Sequence, residues 1–238
     1  MRIVTFGSSH TTGYKLEDTI GQSPNAISKF SYPQVTADTL KCECLNLART
    51  GNGIDQIYTD VFGYLPTSQD HDFIIIHLPV NTTWFKIITA DNISNNVVKP
   101  DSLTYKGKDY QQALHQLYGT LTSDNHWIRL WYINFYSLMT LLHTHNKKFV
   151  WFFDCKDKLY FNFEEQMLAM PEDVRVELTN IRKASFDPSV NYLGLEFADH
   201  LCWHLPHSLK ECGHHTEQAH KFWAVNVLVP YLQKQHDS

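Results

Sequence analysis

Residues Asp72–Leu78 read DFIIIHL, and this stretch decides the fold. Phe73 to Ile76 form an unbroken apolar run that leaves no polar face. A strand that is apolar on both faces is typical of the interior of a parallel sheet that helices cover. The stretch therefore predicts an α/β domain with a parallel sheet at its centre.

Strand and helix patterns alternate on both sides of this stretch. Strand patterns are IVTF (Ile3–Phe6), CLNLA (Cys44–Ala48) and KKFVWFF (Lys147–Phe153). Helix patterns are about Tyr32–Lys41 with Pro33 in its first turn, Gly53–Phe62, about His126–His145, and Glu217–Leu232. This alternation predicts an α/β fold whose mostly parallel sheet has about five strands. We expect the aromatic-rich segment WIRLWYINFY (Trp127–Tyr136) to pack in the core.

Two segments exceed a minimal α/β unit. Residues from about 82 to 125 are polar and rich in loop formers, and residues from about 155 to 187 are charged and partly helical. We interpret both as insertions on a single domain that spans residues 1–238, where they would form a lid or a specificity surface.

The composition indicates which kinds of partner and which cellular compartment to expect. The 238-residue chain has a formal net charge of -5, so it lacks the basic excess of a nucleic-acid-binding protein. Its five cysteines are an odd number without regular spacing, which indicates reduced thiols. We see no signal peptide and no apolar stretch long enough to span a membrane. These features predict a protein of a cytoplasm, or of a host cytoplasm or virion if the source is viral.

The loops that follow the predicted strands contain groups suited to acyl transfer. In open parallel sheets, ligands bind beyond the carboxyl ends of the strands. The loops there contain Ser9, Gly51 and Asn81. They offer a hydroxyl nucleophile, backbone N–H groups and a side-chain amide, which together suit attack on a carbonyl and stabilisation of its oxyanion.

A base for the serine is expected from KECGHHTEQAHKFWA (Lys210–Ala224), just before the last helix. Glu211 precedes His214 by three residues, so its carboxylate could orient the imidazole. A neutral histidine near pH 7 can take the serine proton and return it to the leaving group. His10 directly follows Ser9, and we interpret it as a helix-start or pocket-lining residue, since adjacent residues on a tight turn rarely face each other.

These segments resemble, in order, the conserved blocks of the SGNH, or GDSL-type, hydrolases. FGSSHTTG (Phe6–Gly13) is similar to the first block, with Ser9 at the serine position. NLARTGNGIDQI and DFIIIHLPVN are similar to the second and third blocks, whose key residues would be Gly51 and Asn81. ECGHHTEQAH is similar to the fifth block, with His214 as its histidine. The first block also resembles a divergent branch found in phages and bacteria.

The resemblance implies a three-layer α/β/α, flavodoxin-like fold and a serine esterase that needs no cofactor. Ser9 would be the nucleophile, His214 the general base and Glu211 its acidic partner. The backbone N–H groups of Ser9 and Gly51 and the side-chain amide of Asn81 would bind the oxyanion. The substrate would be an acylated small molecule, lipid or carbohydrate, and the oligomeric state stays open.

Departures from the blocks leave alternatives open. Ser8 replaces the usual aspartate, Pro79 replaces a glycine, and Cys212 interrupts the Glu211–His214 region, so Asp199 is an alternative acidic partner. A binding protein that kept the fold without the chemistry is one alternative function. Another is a Cys/His metal-binding protein that uses Cys202, His204, His207, Cys212, His214 and His215.

Overall fold

The structure is a computed structural model that describes residues 1–79, 85–86, 97–98, 124–156 and 158–236. Its main sheet contains β1 (Arg2–Phe6), β2 (Glu43–Asn46), β3 (Asp72–Leu78) and β6 (Lys148–Phe153), while β4 (Phe85–Lys86) and β5 (Val97–Val98) form a separate antiparallel pair. The helices are α1 (Ser9–Thr12), α2 (Tyr32–Leu40), α3 (Ile54–Tyr64), α4 (Asp124–Thr144), α5 (Lys158–Phe161), α6 (Phe163–Leu168), α7 (Glu172–Ala184), α8 (Phe197–His204), α9 (Glu217–Trp223) and α10 (Val229–His236). Short 3-10 turns lie at Glu17–Thr19, Leu65–Thr67 and Pro188–Asn191, and a π-helical turn, Ala224–Leu228, joins α9 to α10.

The main sheet is parallel, in the order β2-β1-β3-β6. Val4 pairs with Leu45 on one side and with Ile74 on the other, and Ile75 pairs with Val150. Because every strand runs in the same direction, the carboxyl ends of all four meet at one edge. Every residue of β3 is buried, as the apolar run predicts.

Helices cover both faces of the sheet, which gives the expected three layers. Side chains of one face, including Val4, Ile74 and Trp151, share a core with α3, α4, α6 and α7. Side chains of the opposite face, including Ile3 and Phe152, share a second core with α2, α8, α9 and the π-helical turn. The aromatic residues of α4 are core residues as expected: Trp131, Tyr132, Phe135 and Tyr136 are all buried.

The strand count of the prediction was slightly wrong. About five strands were expected, and the described residues form four in the main sheet. Among the described residues, the chain returns to the other edge of β6 at Tyr192, which makes a single parallel bridge with Trp151. A 3-10 turn that begins at Pro188 precedes this bridge, and Gly194 with φ of 81° follows it, so the extended segment ends after one pairing.

The two expected insertions differ in what the structure describes. The first, at about 82–125, lies largely outside the described residues. The second, at about 155–187, holds α5, α6 and α7, which bury Phe163, Met167 and Leu178 in the same core as α4. An ion pair of 2.7 Å between Arg129 and Glu177 joins α4 to α7. Within the described ranges, no helix is both long enough and apolar enough to cross a bilayer.

Candidate active site

The turn between β1 and α1 brings Ser9 to the carboxyl edge of the sheet. Ser9 opens α1, and the carbonyl of Ser8 accepts the N–H groups of Thr11 and Thr12. A Cβ on Gly7 would lie 2.1 Å from Oγ1 of Thr11 and 3.0 Å from the carbonyl oxygen of His77, so only glycine lets α1 approach β3 this closely. Ser9 is half-buried, and within the described ranges its hydroxyl makes no hydrogen bond.

His214 comes to the same helix from the loop between α8 and α9. Its ring lies edge-on to the rings of His10 and Tyr14, at centroid distances of 5.0 Å and 5.2 Å. Tyr14 is itself tied to the helix start, because its N–H donates to the carbonyl of Ser9. The structure therefore brings Ser9 and His214 to one short helix, although they are far apart in the sequence.

The hydrogen bonding of His214 suits a proton acceptor. Its Nδ1 lies 3.1 Å from the carbonyl oxygen of Cys212, so Nδ1 carries the proton that it donates to this oxygen. In that tautomer Nε2 is unprotonated. Burial, and next the positive charge of His10, lower the pKa of His214 to about 4, so the ring is neutral at pH 7.

Neither carboxylate that was considered as the partner of His214 contacts it. Glu211 is exposed, and within the described part of the chain no hydrogen bond or ion pair joins it to His214. Asp199 instead accepts the backbone N–H of Lys156 at 2.9 Å. The carbonyl of Cys212 orients His214 in this structure, and the acidic role of Glu211 stays a prediction.

The loop that contains Gly51 lies beside α1. The N–H of Arg49 donates to the carbonyl of Gly7, and the hydroxyl oxygens of Thr12 and Thr50 are 3.5 Å apart. Gly51 has φ of 80°, a conformation that favours glycine. Asn81 lies outside the described residues, which stop two positions earlier at the buried Pro79.

Sequence reasoning missed a buried ionic cluster directly behind this site. Asp154 follows β6 and is 3 % exposed. Its Oδ1 lies 2.5 Å from Nδ1 of His10 and 3.3 Å from Nε2 of His77. Nδ1 of His77 lies 3.0 Å from Oγ1 of Thr11 and 3.2 Å from the hydroxyl of Tyr32. His10 is thus the partner of a buried carboxylate and not only a helix-start residue.

Of the histidines in this cluster, His10 is the one that is protonated and positively charged. Burial alone would lower the pKa of His10, but the charge of Asp154 and its hydrogen bond, together with the Gly213 carbonyl, raise it above its ordinary value. Burial would raise the pKa of Asp154, but His10 and His77 hold it well below its ordinary value. Burial lowers the pKa of the neighbouring histidines, with His10 as a further cause: His77, His214, His215 and His220. Since a protonated His10 has no lone pair to accept a proton, His214 is the candidate base.

The sequence did contain a signal for this cluster. Asp154 directly follows the fourth strand, Lys148–Phe153, so it lies at the carboxyl edge of the sheet like the loops after the first three strands. His77 interrupts an otherwise apolar strand, and a buried imidazole needs polar partners.

The metal-binding alternative gains no support from the side-chain positions. Among the described residues, no group of three or more histidine, cysteine, aspartate or glutamate side chains is arranged to hold a metal ion. Cys202 and Cys212 are both exposed, and Nδ1 of the buried His215 pairs with the hydroxyl of Ser208 at 3.1 Å.

Comparison with known proteins gives a structural likeness without a sequence match. No protein-family model matches the chain, and a search of curated proteins found no significant match. The fold is similar to that of an acetyl xylan esterase from Butyrivibrio proteoclasticus, with a TM-score of 0.54, 16% identity and coverage of 99% of this chain and 64% of that one. It is also similar to a Desulfitobacterium hafniense protein described as lipolytic and of the G-D-S-L family, with a TM-score of 0.50, 12% identity and 98% coverage of both chains. A third similar structure is a family two carbohydrate esterase from Clostridium thermocellum, with a TM-score of 0.50, 13% identity and coverage of 99% of this chain and 65% of that one. The chain therefore has the three-layer fold of the SGNH, or GDSL-type, hydrolases.

Proposed function

We propose that this protein is a serine-dependent ester hydrolase in which Ser9 is the nucleophile and His214 the general base. The observation that carries the proposal is the packing of His214 against α1, the helix that Ser9 opens, on the edge where the sheet's carboxyl ends converge. The proteins of similar fold include two named as esterases, which supports ester hydrolysis as the reaction. Sequence identity to them is low, so the chemistry depends on the site itself.

The proposed reaction uses groups of this chain alone. Ser9 Oγ attacks the acyl carbon while Nε2 of His214 takes the hydroxyl proton. The backbone N–H groups of Ser9 and Gly51 and the amide of Asn81 donate to the oxyanion. His214 then returns its proton to the leaving alcohol, and an acyl-serine remains. Water attacks this ester with His214 again as the base, which releases the acid and restores Ser9.

The unbonded hydroxyl of Ser9 is compatible with this role. Hydrogen bonds between catalytic groups are often long in ligand-free structures and tighten in the substrate complex. His214 has the tautomer that this step requires, because the Cys212 carbonyl holds the proton on Nδ1 and leaves Nε2 for the serine.

We propose that the substrate is an acyl ester of a carbohydrate or lipid. Two of the similar proteins are named as esterases of xylan or other carbohydrates, and a third as lipolytic. Parallel assays with an acetylated oligosaccharide and with a long-chain acyl glycerol separate these two classes.

The decisive experiment is labelling with a fluorophosphonate probe, followed by peptide mass mapping. We expect an adduct on Ser9 that is lost in His214→Ala and retained in His207→Ala, a control at an exposed histidine of the same loop. Absence of an adduct in folded protein would contradict the proposal and would favour a binding protein on the same fold.

The role of Glu211 needs a separate test. If its carboxylate stabilises the charged His214 during the reaction, Glu211→Gln lowers kcat by about tenfold or more, the usual scale for loss of a charged partner in a transition state. If the Cys212 carbonyl alone orients His214, kcat changes little. Asp199→Asn, at the alternative carboxylate, is the matched comparison.

A further inference from the structure

The histidine next to the proposed nucleophile holds the loop that contains the proposed base. Nε2 of His10 lies 3.3 Å from the carbonyl oxygen of Gly213, the residue directly before His214. Nδ1 of the same ring lies 2.5 Å from Asp154. We propose that His10, held as an imidazolium by Asp154, fastens the Gly213 carbonyl to α1 and so positions His214 for catalysis. The catalytic part of this inference rests on the proposed function, while the positioning itself does not.

The hydrogen-bond count requires the charged form of His10. Both ring nitrogens face oxygen acceptors, one a carboxylate and the other a carbonyl. A neutral imidazole has a single N–H group, so it could satisfy only one of them. An ionised carboxylate has no proton to donate, and Asp154 is ionised in this cluster. Both contacts are hydrogen bonds only when His10 carries two protons.

Asp154 is a rigid anchor for this contact. Its backbone N–H donates to the carbonyl of Leu78 at 2.9 Å, and its own carbonyl accepts the N–H of Ala198 at 2.5 Å. It is therefore held between β3 and the first turn of α8. The ring of Phe197 lies 5.6 Å from that of His10 and closes the other side.

Besides the ring contacts of His214 with His10 and Tyr14 and of His215 with His10, the loop that carries His214 has few contacts with α1. Residues 210–214 form a turn closed on itself, since the N–H of Lys210 donates to the carbonyl of His214 and the N–H of Gly213 donates to that of Lys210. Glu211, Cys212 and Gly213 are all exposed, so the turn buries little apolar surface. A second direct hydrogen bond, from the Lys210 ammonium to the Lys15 carbonyl at 2.8 Å, joins this turn to the segment after α1. Exposed lysine contacts of this kind are weak. The Gly213 carbonyl is also at the surface, but the His10 side chain that donates to it is only 11% exposed and its bond is charge-assisted.

The contact should respond to pH because it needs two protons on one ring. The titratable groups that face His10 are Asp154 after β6, His77 on β3, and His214 and His215 on the loop. His220 on α9 is coupled to His10 through its charge. The four histidines of this group are neutral near pH 7, so Asp154 is the charge that keeps His10 protonated. As pH rises past the raised pKa of His10, the proton facing the weaker acceptor, Gly213, leaves first. The hydrogen bond to Gly213 is then lost, which loosens the turn at residues 210–214, while the Asp154 contact remains.

The test begins with the wild-type protein, which needs no substitution to fold. Histidine ¹⁵N NMR at pH 7 should show both nitrogens of His10 protonated. Hydrogen exchange of residues 210–216, corrected for the intrinsic pH dependence of amide exchange, should accelerate as His10 loses its proton. A single protonated nitrogen on His10 at pH 7 would overturn the proposal.

Substitution then separates positioning from simple packing. His10→Gln keeps a donor for Asp154 but loses the charge and the second aligned N–H. We expect faster exchange at residues 210–216 and a pKa of His214 that moves up from about 4, because a positive neighbour is gone. We also expect kcat to fall by roughly 10- to 100-fold with KM changed by less than about threefold, the scale for a misplaced catalytic group. His207→Ala on the same loop should leave all these quantities as in the wild type.

The outcomes for the two proposals are distinguishable. If wild-type Ser9 takes no fluorophosphonate, the proposed hydrolase function fails, while the NMR and exchange data still decide whether His10 holds the loop. If Ser9 is labelled, and His10→Gln shows wild-type exchange, an unchanged His214 titration and an unchanged kcat, the positioning role fails and the hydrolase function stands.

Discussion

The buried pair of His10 and Asp154 makes a quantitative prediction about stability. Asp154→Asn removes the charge but keeps an oxygen that can accept from Nδ1 of His10. Loss of one partner of a buried ion pair costs about 3–5 kcal/mol, and the retained acceptor places this substitution near the lower end, about 3 kcal/mol. For a chain of this size 1 kcal/mol corresponds to about 2–4 °C in Tm, so we expect a decrease of about 6–12 °C.

The sign of the pH dependence follows from the two pKa shifts. The raised pKa of His10 gives stability that is complete below its ordinary value of 6.5 and is lost as pH rises through the folded-state pKa. The lowered pKa of Asp154 gives stability that is present above its ordinary value of 3.8 and is lost as pH falls through the folded-state pKa. The cost of Asp154→Asn should therefore be largest between pH 3.8 and pH 6.5 and should shrink as pH rises through the folded-state pKa of His10.

Urea unfolding at pH 5.5, 7 and 9, followed by circular dichroism, measures this cost. Glu164→Gln is the control, because the Arg182–Glu164 pair is exposed, with 47% and 85% of the two side chains accessible. Exposed pairs contribute about 0–1 kcal/mol, so the control should stay close to the wild type at every pH. A cost for Asp154→Asn below about 1 kcal/mol at pH 5.5 would refute the charged pair.

Four further predictions concern the proposed catalytic residues and two glycines of the fold. Ser9→Ala and His214→Ala should each lower kcat for p-nitrophenyl acetate by about a thousandfold or more with an unchanged circular dichroism spectrum, and a loss below about tenfold in either would contradict the assigned roles. Because the pKa of His214 is about 4, kcat/KM should stay level from pH 7 to about pH 5 and fall near pH 4, whereas a midpoint near 6.5 would mean that another group is the base. Asn81→Ala should cost about a hundredfold or more in kcat if its amide binds the oxyanion, and an unchanged rate would exclude that role. Gly7→Ala should lower the free energy of unfolding in urea by about 1–3 kcal/mol, because the added Cβ would overlap Thr11. Gly63→Ala should raise the free energy of unfolding by about 0.5–1 kcal/mol, because the space around this helical glycine is open.

The sequence predicted the central sheet and its helical layers better than the contacts within the site. The apolar run in β3 and the alternating patterns around it were sufficient for the parallel sheet and its helical layers, because burial on both faces leaves a clear one-dimensional pattern. The boundary of β2 was less visible: the strand ends at Asn46, where the Asn46 side chain accepts the N–H of Ala48 and turns the chain. The helix expected at Gly53–Phe62 is α3, in which Ile57 and Val61 are buried but Phe62 is 60% exposed.

The pairing of charged groups could not be predicted from sequence spacing. Glu211 and His214 have a spacing that suits contact, yet the turn between them points Glu211 to solvent and gives His214 a backbone carbonyl. His10 and Asp154 are 144 positions apart, and only the packing of β1 and β6 around β3 brings them together. Long-range partners of this kind depend on strand order, which the sequence patterns left open.

The geometry of α1 explains how two adjacent residues can have opposite environments. Successive residues on a helix differ by about 100° in direction, so Ser9 stays half-buried at the sheet edge while His10 turns inward to Asp154. The buried carboxylate keeps the proton on His10, and that positive charge, together with burial, keeps His214 neutral. The negative charge of Asp154 therefore leaves His214 available as the base and gives His10 the charge with which it holds the loop. It follows that Asp154→Asn should change the titration of His214 even though the two residues are not hydrogen-bonded, and an unchanged His214 pKa in that variant would break the link between the ionic cluster and the proposed active site.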